Sequence, residues 1–302
     1  MHSMPSYLEA YERGILEQRL QVALERLSRC TLCPRNCAVN RVSGEKGICL
    51  TGRLAKISSY GPHFGEESPL VGRHGSGTIF FTHCNLLCNF CQNYDISHLG
   101  RGHEVTDEQL GAIMLDLQNM GCHNINLVTP SHVVPQVMCA LKIAIEGGLD
   151  IPIVYNSGGY DDPNTLKMLD GMVDIYMPDL KFFSEETAKK CGLPIDYGPV
   201  ARQAIKEMYR QVGDLEINTS GTAQRGLLVR HLIMPSGLSD VEDVMAFLAT
   251  EISQNTYVNI MAQYRPCYGA HMVPELAKNI SHNDTKEAME HARRNGLHRI
   301  DR

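Results

Sequence analysis

Three cysteines within eight residues, in the string Cys84-Asn-Leu-Leu-Cys88-Asn-Phe-Cys91, carry the strongest chemical signal in the sequence. Thiolates are soft ligands that select zinc, copper(I) or iron–sulfur clusters. A four-iron cluster takes four ligands, so three cysteines would leave one iron open to a substrate. The competing reading is a structural zinc ion completed by His83 or His98. Leu86, Leu87 and Phe90 lie between and beside the ligands and favour the open cluster, because an apolar loop keeps water from a redox centre. A second set, Cys30-x2-Cys33-x3-Cys37-x11-Cys49, has four ligands and can close a tetrahedral zinc site or hold an auxiliary iron–sulfur cluster. Spacing does not separate these two.

The remaining composition narrows what surrounds these sites. The chain has 302 residues, 11 cysteines and a net charge of −6, with 43% hydrophobic and 21% charged residues. This is ordinary globular material, not a disordered chain. The acidic balance argues against a nucleic-acid partner, and no apolar run is long enough to cross a membrane. The first residues lack the basic start and apolar stretch of a signal peptide, so the expected location is the cytoplasm. There thiols stay reduced, and an odd cysteine count is better explained by metal than by disulfides.

The elements that must position the cysteines follow from periodicity. Residues 7–29 read as one amphipathic helix, with Leu8, Tyr11, Leu16, Leu20, Leu24 and Leu27 near helical spacing. Residues 30–75 are rich in glycine and read as a loop segment held by metal. Six short apolar runs follow, at 78–82, 125–129, 153–156, 173–177, 227–234 and 257–261, alternating with helical patterns. One helix opens at Thr106 with capping-box spacing to Gln109, and Ser239 with Glu242 marks the start of another. Strands alternating with helices imply parallel βαβ units, and continuous apolar runs suit strands buried on both faces. The expected fold is α/β, a parallel (β/α)6 incomplete TIM-type barrel with an N-terminal Cys-rich helical and loop extension. The division is residues 1–75 for the extension and 76–302 for the core with its C-terminal helices.

In such folds function sits at the C-terminal strand ends. Those ends are polar here: Thr82-His83-Cys84, Thr129 with His132, Asn156-Ser157, Asp179 with Lys181, Arg230-His231 within the fifth run, and Gln263-Tyr264-Arg265. The cysteine loop begins where the first run stops.

CxxxCxxC after the first strand of a parallel βα array resembles the signature of the radical S-adenosylmethionine (SAM) superfamily. The fuller string from Gly75 to Asn93 is similar to the branch of pyruvate formate-lyase activating enzyme. The resemblance covers about residues 75–270. It implies a [4Fe–4S] cluster on Cys84, Cys88 and Cys91, SAM bound at the open iron, and reduced flavodoxin or ferredoxin as electron donor. By the same resemblance Asn93 borders the adenine, and Asp179 helps hold a cation near the cofactor. Lys181 faces the methionine end, and Arg230 lies in the same pocket. The family's Gly-Gly-Glu after the second strand is absent; Thr129 and His132 stand there as candidates for holding the cofactor amine. Asn156-Ser157-Gly-Gly replaces an Asp-Thr-Asn-Gly turn, which makes a cation site less negative. Gln263 occupies the stretch where the family has an adenine-bordering histidine.

The expected function is therefore reductive cleavage of SAM to a 5′-deoxyadenosyl radical that abstracts hydrogen from a protein or a small molecule, with glycyl-radical enzyme activation favoured by the resemblance. The alternative is a zinc-binding structural or interaction protein with two thiolate sites. Cys30, Cys33, Cys37 and Cys49 form the second metal site in either case. Neither nucleic acid nor membrane is an expected partner.

Overall fold

The computed structural model, which describes residues 4–301, has nine strands among those residues. They are β1 (Ala55–His63), β2 (Ser76–Phe81), β3 (His103–Val105), β4 (Ile125–Val128), β5 (Ile153–Ser157), β6 (Ile175–Pro178), β7 (Glu216–Ile217), β8 (Ala223–Leu232) and β9 (Tyr257–Met261). The sheet runs β3-β1-β2-β4-β5-β6-β8-β7, with β9 paired to β8. It is mixed. β1 is antiparallel to both β2 and β3, and β7 is antiparallel to β8. The pairs β2–β4, β4–β5, β5–β6, β6–β8 and β8–β9 are parallel. The molecule is thus an α/β fold in which helices cover the sheet. Every residue of β5 and β6 is buried, as expected for strands packed on both faces.

All six expected runs form strands, with shifted ends. β8 is the most altered, starting at Ala223 rather than Leu227 and stopping at Leu232. β1 falls in the segment expected to be loop. Its Gly61-Pro62 pair reads against a strand, yet β3 covers only Ala55–Ile57 of its outer edge. Pro62 therefore sits where no outer-edge strand partner is in register, and the missing N–H costs nothing there.

The first helix is broken. It spans Ser6–Glu12, then resumes as Ile15–Glu25 and ends in a 3-10 turn at Arg26–Arg29. Gly14 sits between with φ 70°, a left-handed conformation that glycine adopts freely and that a continuous helix cannot contain. Leu16, Leu20 and Leu27 still share one hydrophobic core with Ile79, Leu127 and Tyr155 of the sheet.

The capping box at Thr106 is present in both directions, with Gln109 N–H donating to Thr106 Oγ1 at 3.2 Å and Thr106 N–H to Gln109 Oε1 at 2.9 Å. The Ser239 cap is not. Ser239 Oγ instead accepts from Met234 N–H at 2.6 Å, and Asp240 precedes the helix Val241–Phe247. The Asp240 carboxylate is spent on another helix end, accepting from Phe183 N–H and Ser184 N–H, each at 2.9 Å. A tertiary contact has overridden the local signal.

Candidate functional site

β2 delivers the chain into the cysteine loop through an unusual backbone. His83 and Leu87 both have positive φ, 71° and 57°, a conformation sterically costly for side chains with a Cβ. His83 N–H donates to Ile96 O at 2.9 Å, which closes the loop on itself. Gly100 makes room for this return, since a Cβ there would stand 2.4 Å from His83 Cε1. Within the loop, Leu86 N–H donates to Cys84 Sγ at 3.3 Å, and Cys91 Sγ lies 3.2 Å from Ser97 Oγ.

Apolar residues seal the loop from water. Leu86 and Phe90 are buried, and Phe90 meets Phe182 edge to face at 5.8 Å. Leu86 also packs on the turn that follows β5: a Cβ at Gly158 would be 3.2 Å from Leu86 Cδ2. Burial pushes the thiols of Cys84 and Cys88 up, with the Lys181 ammonium opposing the rise at both. Without metal these are protonated thiols, and cluster binding must release their protons.

The ends of β5, β6 and β8 converge on a buried ion network. Arg230 Nε donates to Asp179 Oδ1 at 2.7 Å and its Nη2 to Asn156 Oδ1 at 2.7 Å. Lys181 Nζ donates to the other Asp179 oxygen. Burial alone would raise the Asp179 carboxyl, but Arg230 and Lys181 outweigh it and hold the group below its usual range. Burial disfavours the Lys181 ammonium, and the Asp179 carboxylate beside it, through charge and a hydrogen bond, brings the group back above its ordinary value. All three groups are therefore charged at neutral pH.

Two carboxylates that the sequence did not single out join this network. Glu67 is buried and 4.0 Å from Arg230 Nε; its Oε1 accepts from Asn259 Nδ2 at 2.8 Å. Its Oε2 makes no hydrogen bond within the protein. Burial pushes the neighbouring Glu66 carboxyl up. Neither residue lies at the end of a parallel strand, so the positional rule that found the others does not reach them.

An open cavity of about 520 Å3 lies against this network. Asn93, Asn156, Arg230, Gln263, Glu66 and Glu67 are among its walls. Its size is that of a small-molecule site. Gln92 Nε2 donates to Gln263 O at 3.0 Å, fastening the end of the cysteine loop to the segment after β9. Tyr197, also missed in the sequence, pins the network from below: its OH is 3.0 Å from both Gly158 O and Asp179 O and accepts from Lys181 N–H at 2.9 Å.

Not every expected residue faces the cavity. Thr129 is at the β4 end with φ 62°, its N–H donating to Asn156 O at 2.8 Å. Ser157 points away, donating to Asp161 Oδ2 at 2.6 Å. The expectation for His132 is corrected in the same way. Its ring is buried with Nε2 3.0 Å from Thr82 O, and it lines the small cavity formed by Cys30, Cys33, Cys37 and Cys49.

Those four cysteines share one enclosed space, as their spacing suggested. Burial pushes the Cys33 thiol up to about 12. Among the described residues, no three His, Cys, Asp or Glu side chains are posed around a single metal ion. A cuboidal cluster does not need such a shell, because each of its cysteines binds a different iron. At Cys84, Cys88 and Cys91 the donor set, the apolar seal and the adjoining cavity fit that group.

Comparison with known proteins decides the family. The profile of the Radical SAM superfamily matches residues 78–248, more than half of the chain and all of the cysteine loop. The chain belongs to the radical SAM superfamily. An uncharacterized protein of Methanocaldococcus jannaschii is 29% identical over 297 residues, covering 96% of this chain and 82% of its own. Among solved structures, the cobalamin-dependent S-adenosylmethionine radical enzyme OxsB aligns at a TM-score of 0.40 and 13% identity. That alignment spans 73% of this chain and 31% of OxsB. Membership in the radical SAM superfamily implies an iron–sulfur enzyme with a [4Fe–4S] cluster and SAM, and the matched residues include Cys84, Cys88 and Cys91. Among the described residues, no helix is long and apolar enough to cross a membrane.

Proposed function

We propose that this chain cleaves SAM reductively and uses the resulting radical to abstract a hydrogen atom, in the manner of the pyruvate formate-lyase activating enzyme branch. What supports this is the three-cysteine loop followed directly by a cavity whose walls include Asn93, two residues past Cys91, with Asn156, Arg230 and Gln263. When bound, the cluster and SAM supply one-electron cleavage of a carbon–sulfur bond, giving a 5′-deoxyadenosyl radical. The six parallel strands β2, β4, β5, β6, β8 and β9 read as the (β/α)6 incomplete barrel that carries such sites.

The protein's own residues bind, orient and shield. Cys84, Cys88 and Cys91 hold three irons. Asn93 and Gln263 border the adenine, and their tether through Gln92 keeps that wall closed. The Asp179–Arg230–Lys181 network presents fixed charge to the methionine end, where the cofactor carries an ammonium and a carboxylate. Glu67 offers its free Oε2 to a donor on the cofactor. Leu86 and Phe90 exclude water, which would otherwise weaken each polar contact.

Reduced flavodoxin or ferredoxin would supply the electron. The substrate is a glycyl-radical enzyme backbone, another protein or a small molecule, and the activating-enzyme resemblance favours the first. Cys30, Cys33, Cys37 and Cys49 bind a second metal.

Electron paramagnetic resonance of the anaerobically reconstituted, reduced protein tests this reading. Adding SAM should change the cluster spectrum, and Cys88→Ala should abolish the signal of that site. A colourless protein that binds only zinc would overturn it.

A further inference from the structure

Each SAM cleaved costs the first cluster one electron, and that electron comes from outside the chain. Of the three ligands, Cys88 is buried while Cys84 and Cys91 are partly exposed, and contacts lead outward from Cys91. Its Sγ lies 3.2 Å from Ser97 Oγ, which lies 2.9 Å from His98 Nδ1. The His98 ring is 4.2 Å from that of Tyr268, and Tyr268 stacks on Tyr94 at 5.4 Å. Both tyrosines open to solvent, at 38% exposure for Tyr94 and 46% for Tyr268. An unbroken run of side-chain contacts therefore joins a cluster ligand to the surface.

Two segments build that surface. The chain after Cys91 makes one turn of helix, Tyr94–Ser97, and the chain after β9 returns over it as a 3-10 turn, Tyr268–Met272. The second segment rests on the cysteine loop: a Cβ at Gly269 would touch Asn89 O at 3.4 Å. Tyr268 holds φ 50°, a conformation that persists for such a residue only where the surroundings compel it. Leu99 and Met272, on the same two segments, are 56% and 85% exposed. Apolar side chains gathered at the surface in this way mark an interaction site.

The rim is cationic in a chain of net charge −6. Arg101, tied to the helical turn by its N–H to Asp95 O at 3.1 Å, and Arg265, three residues before Tyr268, are exposed and form no salt bridge among the described residues. Two carboxylates share these segments. Glu275 is neutralised by Lys190 at 2.7 Å, with Lys278 also beside it. Asp95 accepts from Ile96 N–H at 3.0 Å. The balance favours an acidic partner. Four apolar side chains inside a charged rim suit the small interfaces of transient redox complexes, under about 1,200 Å2, rather than the larger apolar ones of permanent dimers.

We infer that Tyr94, Leu99, Tyr268 and Met272, rimmed by Arg101 and Arg265, dock a small acidic electron carrier that reduces the first cluster past Cys91. This rests on the reading of SAM cleavage above and assigns the place where its flavodoxin or ferredoxin binds. One electron leaves the carrier's reduced flavin or iron–sulfur centre and the oxidised cluster gains it. No covalent bond of this chain forms or breaks in that step.

The test uses the reconstituted full chain with two probes, a flavodoxin and an acidic ferredoxin. Calorimetry reads their binding at low and high salt, and 5′-deoxyadenosine release reads electron delivery. Met272→Glu and Arg101→Glu change exposed side chains and should keep the wild-type iron content and circular dichroism. Each should weaken carrier binding by roughly tenfold or more at low salt, because a like charge now faces the acidic carrier. Carrier-driven SAM cleavage should slow by a similar factor, while cleavage driven by dithionite, which needs no docking surface, keeps its wild-type rate. Val22→Glu, on the front helix, should change neither. Unchanged carrier binding in both rim variants overturns the inference, as does a wild type that dithionite reduces and neither carrier binds. A dimer of wild type that these variants dissociate, seen by size-exclusion chromatography, assigns the face to a second copy instead and also overturns it. In each case SAM cleavage with dithionite still stands. No cleavage by wild type with dithionite overturns that reading and the inference built on it.

Discussion

Replacing Arg230 by Met removes the cation that joins β5, β6 and β8. Arg230 lies 2.7 Å from Asp179 Oδ1 and 2.7 Å from Asn156 Oδ1, with its side chain 17% exposed. At that separation and an effective dielectric of about 20, the charge pair alone is worth about 6 kcal/mol before desolvation. Breaking one partner of a buried pair costs roughly 3–5 kcal/mol, because the other charge is stranded. Lys181 still contacts Asp179 and Asn259 still serves Glu67, which puts the expected loss near the lower end, about 3 kcal/mol. At about 2 °C per kcal/mol for a chain of this size, the melting temperature should fall by about 6 °C. Anaerobic thermal and urea unfolding, followed by circular dichroism, read the loss. SAM affinity should weaken by roughly 10- to 100-fold, the equivalent of one charge-assisted hydrogen bond. Asp179→Asn/Arg230→Met should cost less than the two single changes summed, since the second removes a charge the first has stranded. A stability loss under about 1 kcal/mol with unchanged SAM affinity would refute the role assigned to this network.

Gly159→Ala should be poorly tolerated, costing upward of about 2 kcal/mol by urea unfolding, because the residue has φ 79° and a Cβ would lie 2.1 Å from Asp179 O. Tyr197→Phe should lose about 2 kcal/mol and lower iron occupancy at the first cluster, as its hydroxyl serves Gly158, Asp179 and Lys181. Glu66 has a carboxyl raised by burial, so its ionisation opposes folding: the stability is intact below the usual value of 4.5 and declines as pH rises through the folded-state pKa. Glu66→Gln should therefore be more stable than wild type at pH 7 and indistinguishable from it below pH 4.5, as measured by unfolding across that range. Arg35→Ala should leave the fold intact by circular dichroism yet reduce iron retained at Cys84, Cys88 and Cys91, because Arg35 Nε and Nη2 donate to Asn85 O at 2.7 Å and Leu86 O at 3.0 Å within that loop.

The parallel strands were readable because burial on both faces writes itself as unbroken apolar runs; β4, β5 and β6 fall within a few residues of expectation. Their polar ends were readable by position, and Asn156, Asp179, Lys181 and Arg230 do meet. What escaped depends on contacts distant in sequence. β1 looks like loop until β2 pairs with it. Glu67 precedes a four-residue helix, and only the tertiary fold brings it beside Arg230 and Asn259. His132 sits at a strand end like its neighbours, but its ring turns to Thr82 and the front cysteines. Strand position gives a residue's neighbourhood, while the rotamer and the packing around it decide which cavity it serves.

The most direct test is product formation. Protein with a full complement of iron at Cys84, Cys88 and Cys91, reduced with dithionite and supplied with SAM under anaerobic conditions, should release 5′-deoxyadenosine and methionine in equal amounts. The same preparation of Cys88→Ala should release neither. Wild type that carries the intact cluster, binds SAM and yields no 5′-deoxyadenosine would contradict radical chemistry at this site.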